Sequence, residues 1–151
     1  MKDAGVYARE LESIGRVVQL GIVGGQVISV SFPDAIPEDA TAEHDYLDAV
    51  DAYFAGEREG LTEIPIALTM PTDKRRVLEM LREIPSGRTV TIDRLASFAG
   101  LDPAEDGARE TVQDALRENP VPLFVPDHRV RDGQGATPSS IAAALRRQES
   151  G

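Results

Sequence analysis

The chain has 151 residues, no cysteine and a formal net charge of -10. With no thiol it can form no disulfide, no thiolate metal site and no cysteine nucleophile. Its 41% apolar content suits one sizeable core or two small lobes. No apolar run nears the length of a membrane span, and no charged-then-apolar amino-terminal signal is present, so a cytoplasmic protein without membrane contact is the expectation. Residues 1–70 hold 4 Lys and Arg against 13 Asp and Glu, and residues 71–151 hold 12 against 13. The first part would therefore repel a phosphate backbone. Scarce lysine beside abundant acid points to a halophilic protein; an ordinary acidic surface explains the same numbers nearly as well.

Residues 1–13 show no pattern that assigns an element. Residues 16–22 and 26–32 are β-branched runs, and Gly24-Gly25 between them supplies the positive φ of a hairpin turn. Residues 33–41 read as a loop. Leu47, Val50 and Phe54 share one face of a helix over 43–54, which Gly56 closes. Residues 64–68 predict an edge strand, since Pro65 cannot donate to a ladder. Pro71 opens a helix over 72–83 with Val77, Leu78, Leu81 and Ile84 inward. Thr91 caps a helix over 93–99 that Gly100 stops. A third helix is expected over 104–118, with Ala108, Val112, Ala115 and Leu116 inward, completing a helix-turn-helix. Asn119-Pro120-Val121-Pro122-Leu123-Phe124-Val125-Pro126 predicts a short buried strand over 123–125, bracketed by prolines. Asp127, His128 and Arg129 follow it directly. A last helix over 138–149 has Thr137 as its N-cap and buries Ile141 and Leu145.

From about residue 70 to residue 149 the chain resembles the alkylguanine-DNA alkyltransferases (methylated-DNA–protein-cysteine methyltransferases). The resemblance rests on Ile84-Pro85-x-Gly87-x-Thr89-Val90-Thr91, Leu95-Ala96-x-x-Ala99-Gly100, Asn119-Pro120-x-Pro122 and Pro126-x-His128-Arg129-Val130. The family motif reads Pro-Cys-His-Arg-Val, and here Asp127 takes the cysteine's place. The implied fold is α+β: a small amino-terminal lobe over 1–69, then a helix-turn-helix, winged-helix-like domain over 70–151.

By resemblance, such proteins flip an alkylated guanine out of the duplex and move the alkyl group onto their own cysteine. His128 matches the histidine that makes the thiolate, and Glu149 is the match for the glutamate that orients it. Asp127 cannot do the cysteine's work, so these three are remnants and no alkyl transfer is expected. The family's intercalating arginine falls at Glu110, with Arg109 one residue and about 100° of helix away. Its phosphate-rotating tyrosine falls at Ile92, and its Gly-Tyr-x-Gly-Gly loop is replaced by 135–139. Asn119 and Arg129 complete the candidate DNA-contacting set. Residues 102–118 carry six acids and two bases, which opposes entry between phosphates.

The leading expectation is a non-catalytic family member that recognises alkylated DNA, at high salt, for repair proteins. A DNA-independent interaction module with a vestigial pocket is the alternative. A small-substrate enzyme using Asp127 and His128 is a weaker third. In structural terms the Asp127-His128-Arg129 cluster reads as a polar pin between neighbouring segments, with Arg129 bridging carboxylates. No cofactor and no metal are expected; His44, beside Asp45 and Asp48, reads as a lone surface histidine.

Overall fold

The computed structural model describes residues 4–150. It divides into two compact units, Met1–Ala67 and Leu68–Gly151. Among the described residues, no helix is long and apolar enough to cross a membrane.

The first unit is a three-stranded antiparallel sheet with one helix. β1 (Ala4–Leu11), β2 (Arg16–Val23) and β3 (Gln26–Ser31) lie in the order β1-β2-β3. Gly24 and Gly25 have φ of 60° and 79°, the two left-handed central positions of a type I′ turn. β1 occupies residues that showed no pattern, because only Ala8 and Leu11 of its eight residues are fully buried and its alternation is faint. α1 (Asp45–Phe54) buries Leu47, Val50 and Phe54. It ends in a Schellman arrangement: Gly56 N–H donates to the Tyr53 carbonyl at 3.1 Å and Glu57 N–H to that of Ala52 at 2.9 Å. His44 is this helix's N-cap, its Nδ1 accepting from Tyr46 N–H at 3.0 Å. It is half-buried and stacks against Tyr7 and Tyr46. The strand expected over 64–68 does not form. Ile66 makes only an isolated bridge to Val27, in which Val27 N–H donates to the Pro65 carbonyl and Ala67 N–H to that of Val27.

Arg9 ties β1 to α1 through Asp48 (3.0 Å) and Asp51 (2.7 Å). These pairs neutralise little of the net -9 carried by residues 1–70. Salt screens the remaining self-repulsion, so thermal melting should move to higher temperature from low to molar potassium chloride. A falling midpoint would contradict this.

The second unit packs α2 (Thr72–Leu81), α3 (Ile92–Phe98) and α4 (Ala108–Arg117) against one another, with α5 (Ser139–Ser150) against a 3₁₀ turn, Asp127–Arg129. Val77, Leu78, Leu81, Leu95, Val112, Leu116, Phe124 and Leu145 form its core. Thr91 Oγ1 accepts from Arg94 N–H at 3.1 Å, the cap its position implies. α4 begins a turn later than the sequence predicts. Asp102 Oδ1 holds Ala104 N–H in an Asx turn, and Gly107 enters α4 at φ 85° without a side-chain cap.

The largest departure lies at residues 119–130. No strand forms over 123–125. The chain doubles back, Val125 N–H donating to the Val121 carbonyl at 2.9 Å, with Leu123 at φ 78°. Prolines at 120, 122 and 126 remove three backbone donors, so a ladder has little to pair with. Asn119 supplies the replacement bonds: its Oδ1 accepts from Val121 N–H and its Nδ2 donates to the Val125 carbonyl. The left-handed residue costs about 1–2 kcal/mol, which full burial of Leu123 and Phe124 offsets.

Candidate functional site

All residues from Val121 to Val130 are buried, and the 3₁₀ turn aims its side chains at separate partners. Asp127, 2% exposed, turns toward the loop before α5. Its Oδ2 accepts from Asn119 Nδ2 (3.0 Å), Ala136 N–H (2.9 Å) and Thr137 N–H (3.3 Å). The loop lies so close that a Cβ at Gly135 would overlap the Asp127 carboxyl. Thr137, expected as a side-chain N-cap, instead gives its N–H to Asp127, and its Oγ1 is buried without a hydrogen bond. The carboxylate thus clamps the loop. Burial pushes its pKa up, opposed by the bonds from Thr137 and Asn119, the nearby His128 and the Ala136 N–H.

A folded-state pKa raised above the unfolded one contributes stability at low pH. That contribution is lost as pH climbs from the ordinary aspartate range through the raised value. Asp127→Asn keeps an accepting oxygen and removes the titration. It should therefore flatten this part of the stability–pH curve and match or exceed the parent at neutral pH. Urea unfolding at a series of pH values checks it; parallel curves for the two proteins would refute it.

His128 turns the other way. Its Nε2 lies 3.1 Å from both Glu149 oxygens. A carboxylate facing Nε2 places the proton on that nitrogen. Arg129 closes on the same carboxylate from the side: Nε donates to Oε1 at 3.0 Å and NH2 to Oε2 at 2.7 Å, while NH1 donates to the Ile84 carbonyl at 2.8 Å. Arg129 is 3% exposed. Glu149 is therefore shared by two buried donors, the bridging anticipated for Arg129. Asn119, likewise buried, is the hinge between Asp127 and the doubled-back segment.

The other singled-out residues sit on α3 and α4. Ile92 opens α3, and its N–H donates to Asp132 Oδ1 at 2.7 Å. Arg109 and Glu110 are both exposed in the first turn of α4. Arg109 is held flat against Asp93 by two bonds, 2.6 Å from Nε to Oδ1 and 2.8 Å from NH2 to Oδ2. Hydrogen bonding to Arg109 lowers the Asp93 pKa. Arg117 pairs with Asp114, and Lys74 reaches across to Glu118. Sequence reasoning missed the Asp93–Arg109 pair, which depends on how α3 and α4 cross. It also missed the loop clamp, whose only signal was the two glycines at 133 and 135.

Fold and site together define a class: an α+β protein with a helix-turn-helix unit and a buried histidine–glutamate pair beside a clamped acidic position. A family model described as the 6-O-methylguanine DNA methyltransferase, DNA binding domain, matches residues 73–150. The chain belongs to that family. It is 42% identical over 89 residues to the DNA base-flipping protein of Thermus thermophilus, covering 58% of this chain and 56% of that one. It is 30% identical over 107 residues to the methylated-DNA–protein-cysteine methyltransferase of Archaeoglobus fulgidus, covering 71% and 67%. The chain spans less than two thirds of the length of the Thermus protein and of the Metallosphaera sedula methylated-DNA–protein-cysteine methyltransferase, 56% and 60%. The fold matches the crystal structure of Mycobacterium tuberculosis O6-methylguanine methyltransferase with a TM-score of 0.75 at 23% identity, covering 97% of this chain and 93% of that one.

Proposed function

We propose that the protein is a non-catalytic alkyltransferase relative that recognises alkylated DNA and marks it for repair proteins. The observation that carries this reading is the acceptor position. Asp127 stands there in a chain without cysteine, buried and bonded to the loop, while the scaffold around it is retained. A hydrated or buried carboxylate is a poor nucleophile, and an alkyl ester on it would be hydrolysable. The name of the Thermus relative, a DNA base-flipping protein, supports recognition without transfer. Contacts would come from the exposed Arg109 and Glu110 and the half-buried Ile92, with Asn119 and Arg129 acting behind the surface to hold the segment they buttress.

A second reading, a DNA-independent interaction module, is favoured by the acidic stretch 102–118 and by the capture of Arg109 and Arg117 in ion pairs. A titration separates the two: duplexes with and without an alkylated guanine, across a range of salt. Preference for the alkylated duplex is expected under the first reading; no binding of either duplex at any salt would abandon it. Incubation with duplex carrying a radiolabelled alkyl group should leave no label on the protein, and stable stoichiometric labelling would overturn the non-catalytic assignment.

A further inference from the structure

Among the described residues Lys74, Arg109 and Arg117 are paired with carboxylates, whereas Arg146 and Arg147 at the carboxy-terminal end of α5 are not. A cavity of about 250 Å3 is lined by the loop residues Gly87, Arg88 and Thr89, by the 3₁₀ turn, and by Arg146, Arg147 and Ser150 of α5. Arg88, Arg146 and Arg147 are exposed, and among the described residues none of them is joined to a carboxylate. Glu149 lines the same cavity, yet its carboxylate is committed to Arg129 and His128. Arg146 is oriented by its Nε, which donates to the His128 carbonyl at 2.8 Å. Helix-end electrostatics account for Arg146 and Arg147, since cations favour a carboxy-terminal turn. They do not account for Arg88, which comes from another segment. Gly87 brings it there: at φ 84°, its Cβ position lies only 3.2 Å from the Glu149 carbonyl oxygen, so the loop closes directly on α5.

Three arginines from two segments border this one concavity in a chain of net charge -10, and each carries a planar fork of donors that suits carboxylates. Duplex DNA is bound differently, by contacts spread along many phosphates. The rest of the acidic surface would repel an acidic segment, which restricts its docking to this groove. We infer that the groove lined by Arg88, Arg146 and Arg147 docks an acidic segment of a partner protein through its Asp and Glu side chains. The inference does not depend on DNA recognition.

Fluorescence anisotropy with the full chain tests it. The probes are a labelled peptide rich in Asp and Glu with interspersed leucines, its Asn/Gln counterpart, a phosphoserine peptide and a duplex oligonucleotide. The acidic peptide should bind and the amide peptide should not. Arg88→Glu combined with Arg147→Glu should weaken the acidic peptide by at least about tenfold, as charge reversal at a docking site does, with the circular dichroism spectrum and the duplex titration unchanged. Arg146 is left in place because it holds the His128 carbonyl. Arg76→Glu, an exposed arginine on α2 outside the groove, should leave peptide affinity as it was. The inference fails if the acidic peptide does not bind, if the double variant binds it as tightly as the parent, or if Arg76→Glu weakens it equally. Binding of the phosphoserine peptide alone would overturn the carboxylate assignment. Loss of duplex binding in the double variant would make the groove a nucleic-acid contact instead.

Discussion

Glu149→Ala is expected to destabilise the carboxy-terminal unit by about 3–5 kcal/mol, the range for breaking a buried ion pair from one side. Arg129 and the His128 side chain are almost fully buried, and Glu149 is the carboxylate that both of them face. Removing it takes the carboxylate away from a buried guanidinium that cannot shed its proton, while the bond to the Ile84 carbonyl stays. Glu149→Gln should cost less, because the amide oxygen still accepts from one of the two donors. Unfolding must be followed by helical circular dichroism. All three tyrosines, Tyr7, Tyr46 and Tyr53, lie in the amino-terminal unit and the chain has no tryptophan, so intrinsic fluorescence reports the other unit. A urea midpoint for Glu149→Ala equal to the parent's would show that Arg129 finds other partners and that the shared carboxylate is dispensable.

What was legible in the sequence followed how local its cause was. The Gly24-Gly25 turn, the Thr91 cap and the apolar face of α2 each depend on residues within a few positions, and each formed where it was read. β1 was not legible because an edge strand with two fully buried residues has almost no alternation to show. Residues 123–125 read as a strand in the sequence because apolar residues between prolines suit a buried strand or a doubled-back chain alike. What decides between them is Asn119, whose side chain replaces the missing ladder bonds. The pairing of His128 with Glu149 followed from the family pattern, although the two lie 21 residues apart. The clamp between Asp127 and the 135–137 loop could not be read the same way. The family has a different loop there, and the contact exists only because this carboxylate and this Gly-containing loop face each other.

That clamp sharpens what restoring the nucleophile would do. Asp127→Cys recreates Pro-Cys-His-Arg-Val, with Glu149 already holding His128 Nε2 and so leaving Nδ1 to accept a thiol proton. Repair of duplex DNA by this variant should nevertheless stay near background. The sulfur cannot replace Oδ2, so the N–H groups of Ala136 and Thr137 and the Asn119 amide lose their acceptor. Each buried donor left unmet costs about 1–3 kcal/mol, and the loop beside the pocket should loosen. Flipping a base out of the stack costs a few kcal/mol more, and the groups that would repay it are absent. Ile92 has no hydroxyl to hold a rotated phosphate. Glu110 brings a negative charge to the position of the intercalating arginine. Arg109, one residue away, is already bonded twice to Asp93. Free alkylguanine needs no flipping, and the loosened loop eases its entry, so it should alkylate the variant faster than the duplex does. The measurement is the rate of alkyl incorporation into Asp127→Cys from each donor. A duplex rate typical of an active family member would mean that the contacts missing at 92, 109 and 110 are not needed for flipping, and that the single aspartate accounts for the loss of catalysis.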